Sequence, residues 1–216
     1  MVVLDYGSGN LRSAERALAR VGADVRVTSD LQVAAECAGL VVPGVGAYAA
    51  CMAGINEVGA GPVIRDRVVA GRPVLGICVG MQVLFDEGFE HGVHTPGLGL
   101  LPGVVARLEA PVLPHMGWNT VEAAPGSVLF ESAAPDARYY FVHSYAATDV
   151  RRVTQGSPAA STPGARVTTA EHGISFAAAV ETGADGAPVL AATQFHPEKS
   201  GDAGALLLSN WVGMLR

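Results

Sequence analysis

Cys78 stands in Gly76-Ile77-Cys78-Val79-Gly80, between the apolar run Pro73-Val74-Leu75 and the stretch Met81-Gln82-Val83-Leu84-Phe85, which reads as a helix. A glycine-flanked cysteine at a strand-to-helix turn matches the G-x-S-x-G elbow with sulfur in place of oxygen. The glycines allow a sharp reversal, and the positive end of the following helix favours a thiolate. Far downstream, Gln194-Phe195-His196-Pro197-Glu198-Lys199-Ser200 follows a second apolar run, Val189 to Ala192. Pro197 biases His196 toward extended backbone. Residues two apart in an extended segment project to one side, so Glu198 can fix the His196 ring. Thiol, imidazole and carboxylate are the parts of an acyl-transfer relay, here one suited to amide hydrolysis. Cys78 is the candidate nucleophile, His196 the base and Glu198 its orienter. Cys37 and Cys51 lack any such frame and read as packing residues.

A developing oxyanion needs donors. Gly44-Val45-Gly46-Ala47-Tyr48-Ala49 follows an apolar strand and can present backbone N–H groups to one. The same loop formally matches G-x-G-x-x-[GA], with Asp66 at a suitable distance for a ribose-binding acid, so a dinucleotide site competes. Pro43, at the junction of strand and turn, weighs against it. The histidines at 91, 94, 115, 143 and 172 show neither H-E-x-x-H nor cysteine-rich spacing, and no metal site is expected.

These groups must be held by a scaffold. Val2-Val3-Leu4-Asp5-Tyr6 reads as a strand ending at Gly7-Ser8-Gly9. Leu11, Ala14, Leu18 and Val21 recur at helical spacing with Gly22 as a stop. Strands follow at 24–28 and 39–42, the latter broken by Pro43-Gly44, then a helix over 62–70 and the buried strand 73–77. Uninterrupted apolar strands alternating with helices indicate a mostly parallel central sheet with helices on both faces. Beyond Gly103 the pattern shifts to short strands at 104–108, 139–142, 166–170, 174–181 and 188–195. Several of these should pair antiparallel at one edge, giving an additional antiparallel edge sheet in an α/β fold. A helix over 203–215 closes the chain, and 148–166, rich in Ser, Thr, Pro, Gly and Ala, reads as a mobile surface loop.

Among 216 residues, 50% are hydrophobic and 16% charged, enough for the core of one α/β domain spanning 1–216. The net charge of −6 argues against nucleic acid as a partner. Glycines and Pro43 interrupt the charge-free stretch between Glu36 and Glu57, so no membrane span is expected. The start of the chain has no basic segment, and three cysteines cannot all pair, so a reducing cytoplasmic setting is expected.

The elbow together with a late His-Pro-Glu resembles the class I (triad) glutamine amidotransferases. Within them the chain is similar to the glutaminase subunits of imidazole glycerol phosphate synthase. The likeness rests on Asp5 to Ser13, Pro43 to Gly46, Leu75 to Gln82, Pro114-His115-Met116-Gly117-Trp118-Asn119, Tyr139 to Tyr145 and Phe195 to Ser200. The resemblance implies attack by Cys78 on the side-chain amide of L-glutamine, protonation of departing ammonia by His196 and hydrolysis of a thioester. It implies an oxyanion hole from Gly44, Val45, Gly46 and Val79, glutamine contacts at Gln82, Glu90, Ser144 and Tyr145, and no cofactor. It further implies a heterodimer with a separate (β/α)₈-barrel cyclase subunit that receives the ammonia, docked on Asn10, Arg12, Met116, Trp118, Tyr140 and Lys199. Lys199 is the only lysine among 14 basic residues, a bias that suits a site needing a compact cation. A glutaminase of another pathway, such as pyridoxal phosphate synthesis, fits the Pro114 to Asn119 segment poorly. A catalytically silent interaction protein fits poorly with an intact Cys78, His196 and Glu198.

Overall fold

The computed structural model describes residues 1–155, 165–184 and 186–215. In the first half, β1 (Val2–Leu4), α1 (Leu11–Arg20), β2 (Arg26–Thr28), α2 (Leu31–Glu36), β3 (Leu40–Gly44), α3 (Tyr48–Glu57), α4 (Ala60–Val69), β4 (Val74–Cys78) and α5 (Val79–Gln82) alternate. The middle of the chain is β-rich: β5 (Phe85–Glu90), β6 (Val93–Pro96), β7 (Leu101–Arg107), β8 (His115–Asn119), β9 (Tyr139–His143) and β10 (Tyr145–Ala147). Then come α6 (Val150–Gln155), β11 (Arg166–His172), β12 (Ile174–Ala184), β13 (Ala187–Thr193), a 3₁₀ turn at Pro197–Lys199 and α7 (Gly201–Gly213).

The main sheet runs β11-β12-β13-β4-β3-β1-β2. Its five strands from β13 to β2 are parallel, and β11 and β12 extend one edge antiparallel. β1, β3 and β4 are buried at every position, as strands covered on both faces must be. α1 packs on α7, whereas α2 and α3 both pack on α4. Right-handed crossovers place these two groups on opposite faces. The expected parallel sheet, helix cover and antiparallel edge are all present.

A second sheet, β10-β7-β5-β6, and a separate β8-β9 hairpin stand beside the main sheet. These are richer than the sequence reading foresaw. The helix expected over Met81–Phe85 is a single turn, because Phe85 already enters β5 and pairs with Leu101. Pro43 does not break its strand either. β1 pairs with β3 only as far as Val41, so Pro43 lies where one flank of the ladder is open and a missing N–H costs nothing. Of the loop expected over 148–166, Val150–Gln155 is helical, and 156–164 lies outside the described residues.

Arg67 is fully buried on α4. Its guanidinium donates to the carbonyls of Ala34, Ala35 and Cys37 at 2.9–3.0 Å, and to Pro73 O at 3.0 Å. It thereby closes the C-terminus of α2, whose last carbonyls have no partners within the helix.

Candidate active site

The C-terminal ends of β3, β4 and β13 converge on one edge of the sheet. Gly44 is the register partner of Cys78, and Ile77 that of Thr193. Cys78 has φ 57° and ψ −116°, a left-handed backbone that holds its side chain at the apex of the turn. The flanking glycines are required less for flexibility than for closeness. A Cβ on Gly80 would stand 1.9 Å from Val42 O, and one on Gly76 2.7 Å from Gly80 O. The backbone of β3 therefore runs directly against the elbow.

His196 follows β13 by three residues. Its N–H donates to Tyr140 O at 2.9 Å, and its carbonyl accepts from the Ser200 hydroxyl at 2.7 Å. These bonds fix the backbone beneath the ring, and Nδ1 lies 2.8 Å from Glu198 Oε1, both side chains being 3% exposed. With Nδ1 so occupied, Nε2 is left for the thiol. Burial works against an imidazolium, yet hydrogen bonds to the Cys78 sulfur and to Glu198, with the charges of both, lift His196 to about 9. The structure thus joins Cys78, His196 and Glu198, drawn from residues more than a hundred positions apart.

A cleft of about 580 Å³ opens over Cys78 and His196. Gln82, Glu90, Ser144 and Tyr145 all line it, as do Val45, Gly46 and Val79. Gly44 does not: it sits below in the ladder, where a Cβ would meet Gly80 N at 2.4 Å. Gln82 donates from Nε2 to Tyr145 O at 2.9 Å and to Gln194 Oε1 at 3.0 Å. One Glu90 oxygen accepts the Tyr48 N–H at 2.7 Å, holding the start of α3. Arg107, His91 and Lys199 also face the cleft. Sequence reasoning assigned no role to Arg107 or His91, which carry no local signal and arrive through β7 and the β5–β6 turn.

The glycine loop reaches this cleft with Val45, Gly46 and Ala47 exposed. In the conformation observed, Val45 N–H donates to Ser8 Oγ at 3.3 Å, and Ser8 Oγ donates to Val45 O at 2.9 Å. The amide is therefore turned toward β1 and away from the sulfur, while Val79, at the start of α5, supplies the first N–H after the nucleophile. Asp66 falls within α4, where it cannot reach a ligand on this loop as a strand-end acid would, which removes the support for a dinucleotide site.

On the rim, Met116 and Trp118 are 62% and 52% exposed on β8. Trp118 meets Tyr140 edge-on at 5.9 Å, and Lys199 Nζ lies 5.9 Å from the Tyr140 ring centre. Asn10 occupies the N-cap position of α1 without a side-chain capping bond, and it borders a small hollow with Pro43, Gly44, His196 and Glu198. Arg12 is exposed and paired with Glu15 at 2.8 Å.

A sequence profile described as "Glutamine amidotransferase class-I" matches residues 2–213. The chain belongs to that family. Among curated relatives, "Imidazole glycerol phosphate synthase subunit HisH" of Mycobacterium bovis is 62% identical over 98% of this chain and 96% of its own. The protein of that name from Nocardia farcinica is 60% identical over 100% and 98%. This amidotransferase therefore falls within the HisH branch of its family. A solved glutamine amidotransferase superposes with a TM-score of 0.68 at 21% identity, covering 96% of this chain and 98% of that one. The structure of PurLQS from Thermotoga maritima gives 0.65 at 17% identity over 100% and 97%, which speaks to the fold alone.

Proposed function

We propose that Cys78, His196 and Glu198 hydrolyse the side-chain amide of glutamine, and that the ammonia passes to a (β/α)₈-barrel cyclase docked on the rim of the cleft. The chain is the glutaminase subunit of an imidazole glycerol phosphate synthase, an enzyme of histidine biosynthesis. The observation that carries the catalytic reading is the 2.8 Å His196–Glu198 pair set beside a left-handed Cys78 at the cleft floor. His196 accepts the Cys78 thiol proton as the sulfur attacks the amide carbon of glutamine. The oxyanion takes the Val79 N–H. The imidazolium gives its proton to the leaving nitrogen, ammonia departs, and the same ring then activates water to free glutamate from the thioester.

Glutamine is zwitterionic at its α-carbon, and the cleft offers opposite charges to match. Glu90 suits the ammonium, and Arg107 suits the carboxylate. Ser144, Tyr145 and Gln82 complete the grip. The Ser8 latch on Val45 supports a subunit that is nearly idle alone: a partner that turns the loop would supply the missing oxyanion donor from Val45 or Gly46. Met116, Trp118, Tyr140 and Lys199 form an apolar and cationic rim suited to that partner, and Asn10 and Arg12 extend it toward α1. A family match over 2–213 supports reading 1–216 as one domain. Among the described residues no helix is long and apolar enough to cross a membrane. All three thiols are free, which supports a cytoplasmic setting.

The test is glutamate release with and without the cyclase subunit and its ribulotide ligand. Turnover should rise on assembly and fall by about 10⁴ or more in Cys78→Ala. Turnover retained in Cys78→Ala would defeat the catalytic assignment, and equal turnover with and without the partner would defeat the gating.

A further inference from the structure

Through the cleft wall runs a line of polar groups that the relay does not use, and one of them, His143, also borders the cleft. His115 on β8 and His143 on β9 are register partners, and both side chains are buried. Asn119 Nδ2 lies 3.3 Å from His115 Nε2, His115 Nδ1 lies 3.1 Å from His143 Nε2, and His143 Nδ1 lies 3.0 Å from Tyr145 O. His115 is sandwiched between the rings of Phe141, centroids 4.7 Å apart, and His172, at 4.2 Å, so it cannot rotate away.

Every proton on this line can be placed. A carbonyl only accepts, so His143 Nδ1 donates to Tyr145. In a neutral ring the opposite nitrogen then accepts, which makes His115 Nδ1 the next donor and His115 Nε2 an acceptor for the Asn119 amide. The orientation of Asn119 is fixed independently, since its nitrogen also donates to Glu171 O at 3.0 Å and its oxygen accepts the Thr120 N–H at 2.9 Å. Neutrality is enforced by the surroundings. Burial, then the neighbouring His115, pushes His143 down to about 3, and burial, then His172, pushes His115 down to about 4.

The line joins two places that matter. Asn119 ends the strand that carries Met116 and Trp118 on the rim. Tyr145 O also accepts from Gln82 Nε2 at 2.9 Å, and both Tyr145 and Gln82 line the cleft. We propose that His115 and His143 are positioning residues: a one-way hydrogen-bond chain, Asn119 to His115 to His143 to Tyr145, ties the rim hairpin to the segment that grips glutamine. The idea rests on the glutamine reading of the cleft and adds to it the means by which a hairpin displacement reaches Tyr145 and Gln82. In such a chain each bond polarises the next, so the fixed tautomers act together.

Two measurements test it. In the full chain with ¹⁵N-labelled histidine, His115 and His143 should both carry hydrogen on Nδ1 and remain neutral at about pH 6. Either ring found as the Nε2–H tautomer, or as imidazolium, overturns the proposal. In the assembled synthase, His143→Phe should raise the KM for glutamine about tenfold to a hundredfold while kcat stays within about threefold, since uniform binding is what is lost. Asparagine places an amide nitrogen close to where Nδ1 lies, so His143→Asn should bring KM back to within about threefold of the parent. An unchanged KM in His143→Phe, or an asparagine variant no better than phenylalanine, overturns the proposal. Absence of glutamine turnover in the unaltered synthase would sink the reading of the cleft instead, and the tautomers would then decide the chain by themselves.

Discussion

The floor of the cleft and its far wall hold their groups by different means. On the floor, Cys78 and Gly44 are ladder partners, and the elbow is jammed against β3 with no room for a methyl group at Gly80. On the wall and rim, β8, β9, β10 and the Ser144 link between the last two present Trp118, Ser144 and Tyr145; beyond their ladders they are held by side-chain hydrogen bonds and stacked rings, not by a backbone pressed against a neighbour. A jammed backbone has one arrangement, whereas a separate two-stranded hairpin held largely by side chains can shift at modest cost. The floor is thus the place for chemistry, and the wall is the place for recognition and control.

Substitutions can break this division, and the largest effect should come from the floor. Glu198→Gln keeps the shape but removes the charge that helps lift His196 to about 9. Turnover in the assembled synthase should fall about 10³- to 10⁴-fold with KM little changed, measured as glutamate release. The same group sets a pH dependence. A histidine raised from 6.5 to about 9 stabilises the fold fully below pH 6.5, and that contribution disappears as pH rises through 9. Denaturant unfolding should therefore weaken across this window by about 1–3 kcal/mol, and by less in Glu198→Gln. A variant with an undiminished slope would separate the pair from the shift.

Gly80→Ala comes next. A Cβ 1.9 Å from Val42 O forces backbone apart, and the unfolding free energy should drop by about 3 kcal/mol or more. A loss below about 1 kcal/mol would mean that the floor yields after all. Trp118→Ala should act on assembly and spare the fold: affinity for the partner should weaken by about 2 kcal/mol, read by calorimetry, with an unchanged melting midpoint. The smallest effect belongs to Ser8→Ala, which frees Val45 N–H. Glutaminase activity without the partner should rise about threefold to tenfold, and a decrease would show that Ser8 supports the active loop rather than the resting one.

Much of the floor was legible because its constraints are local. Gly76 and Gly80 must be glycine for close approach, Pro197 sets the backbone of His196, and uninterrupted apolar strands announce a doubly covered sheet. Reading failed where long-range pairing overrode local pattern. Met81 to Phe85 is apolar enough for helix, but Phe85 is claimed by pairing with Leu101. α3 passed unnoticed because Tyr48 to Gly54 is nearly all small and apolar, with no polar face to reveal a period. The wall was the least legible. His115 and His143 lie 28 positions apart, and only the β8–β9 register makes them neighbours.

The buried Arg67 gives the corner around α2 a particular place in the order of folding. α2 has only six residues, far too few to persist alone in water. Its closing group lies some thirty positions further along the chain, on α4. Until α4 has docked, the end of α2 stays unfinished, so this corner matures only after the third crossover, from β3 to β4, is complete, even though its own residues precede that crossover in the sequence.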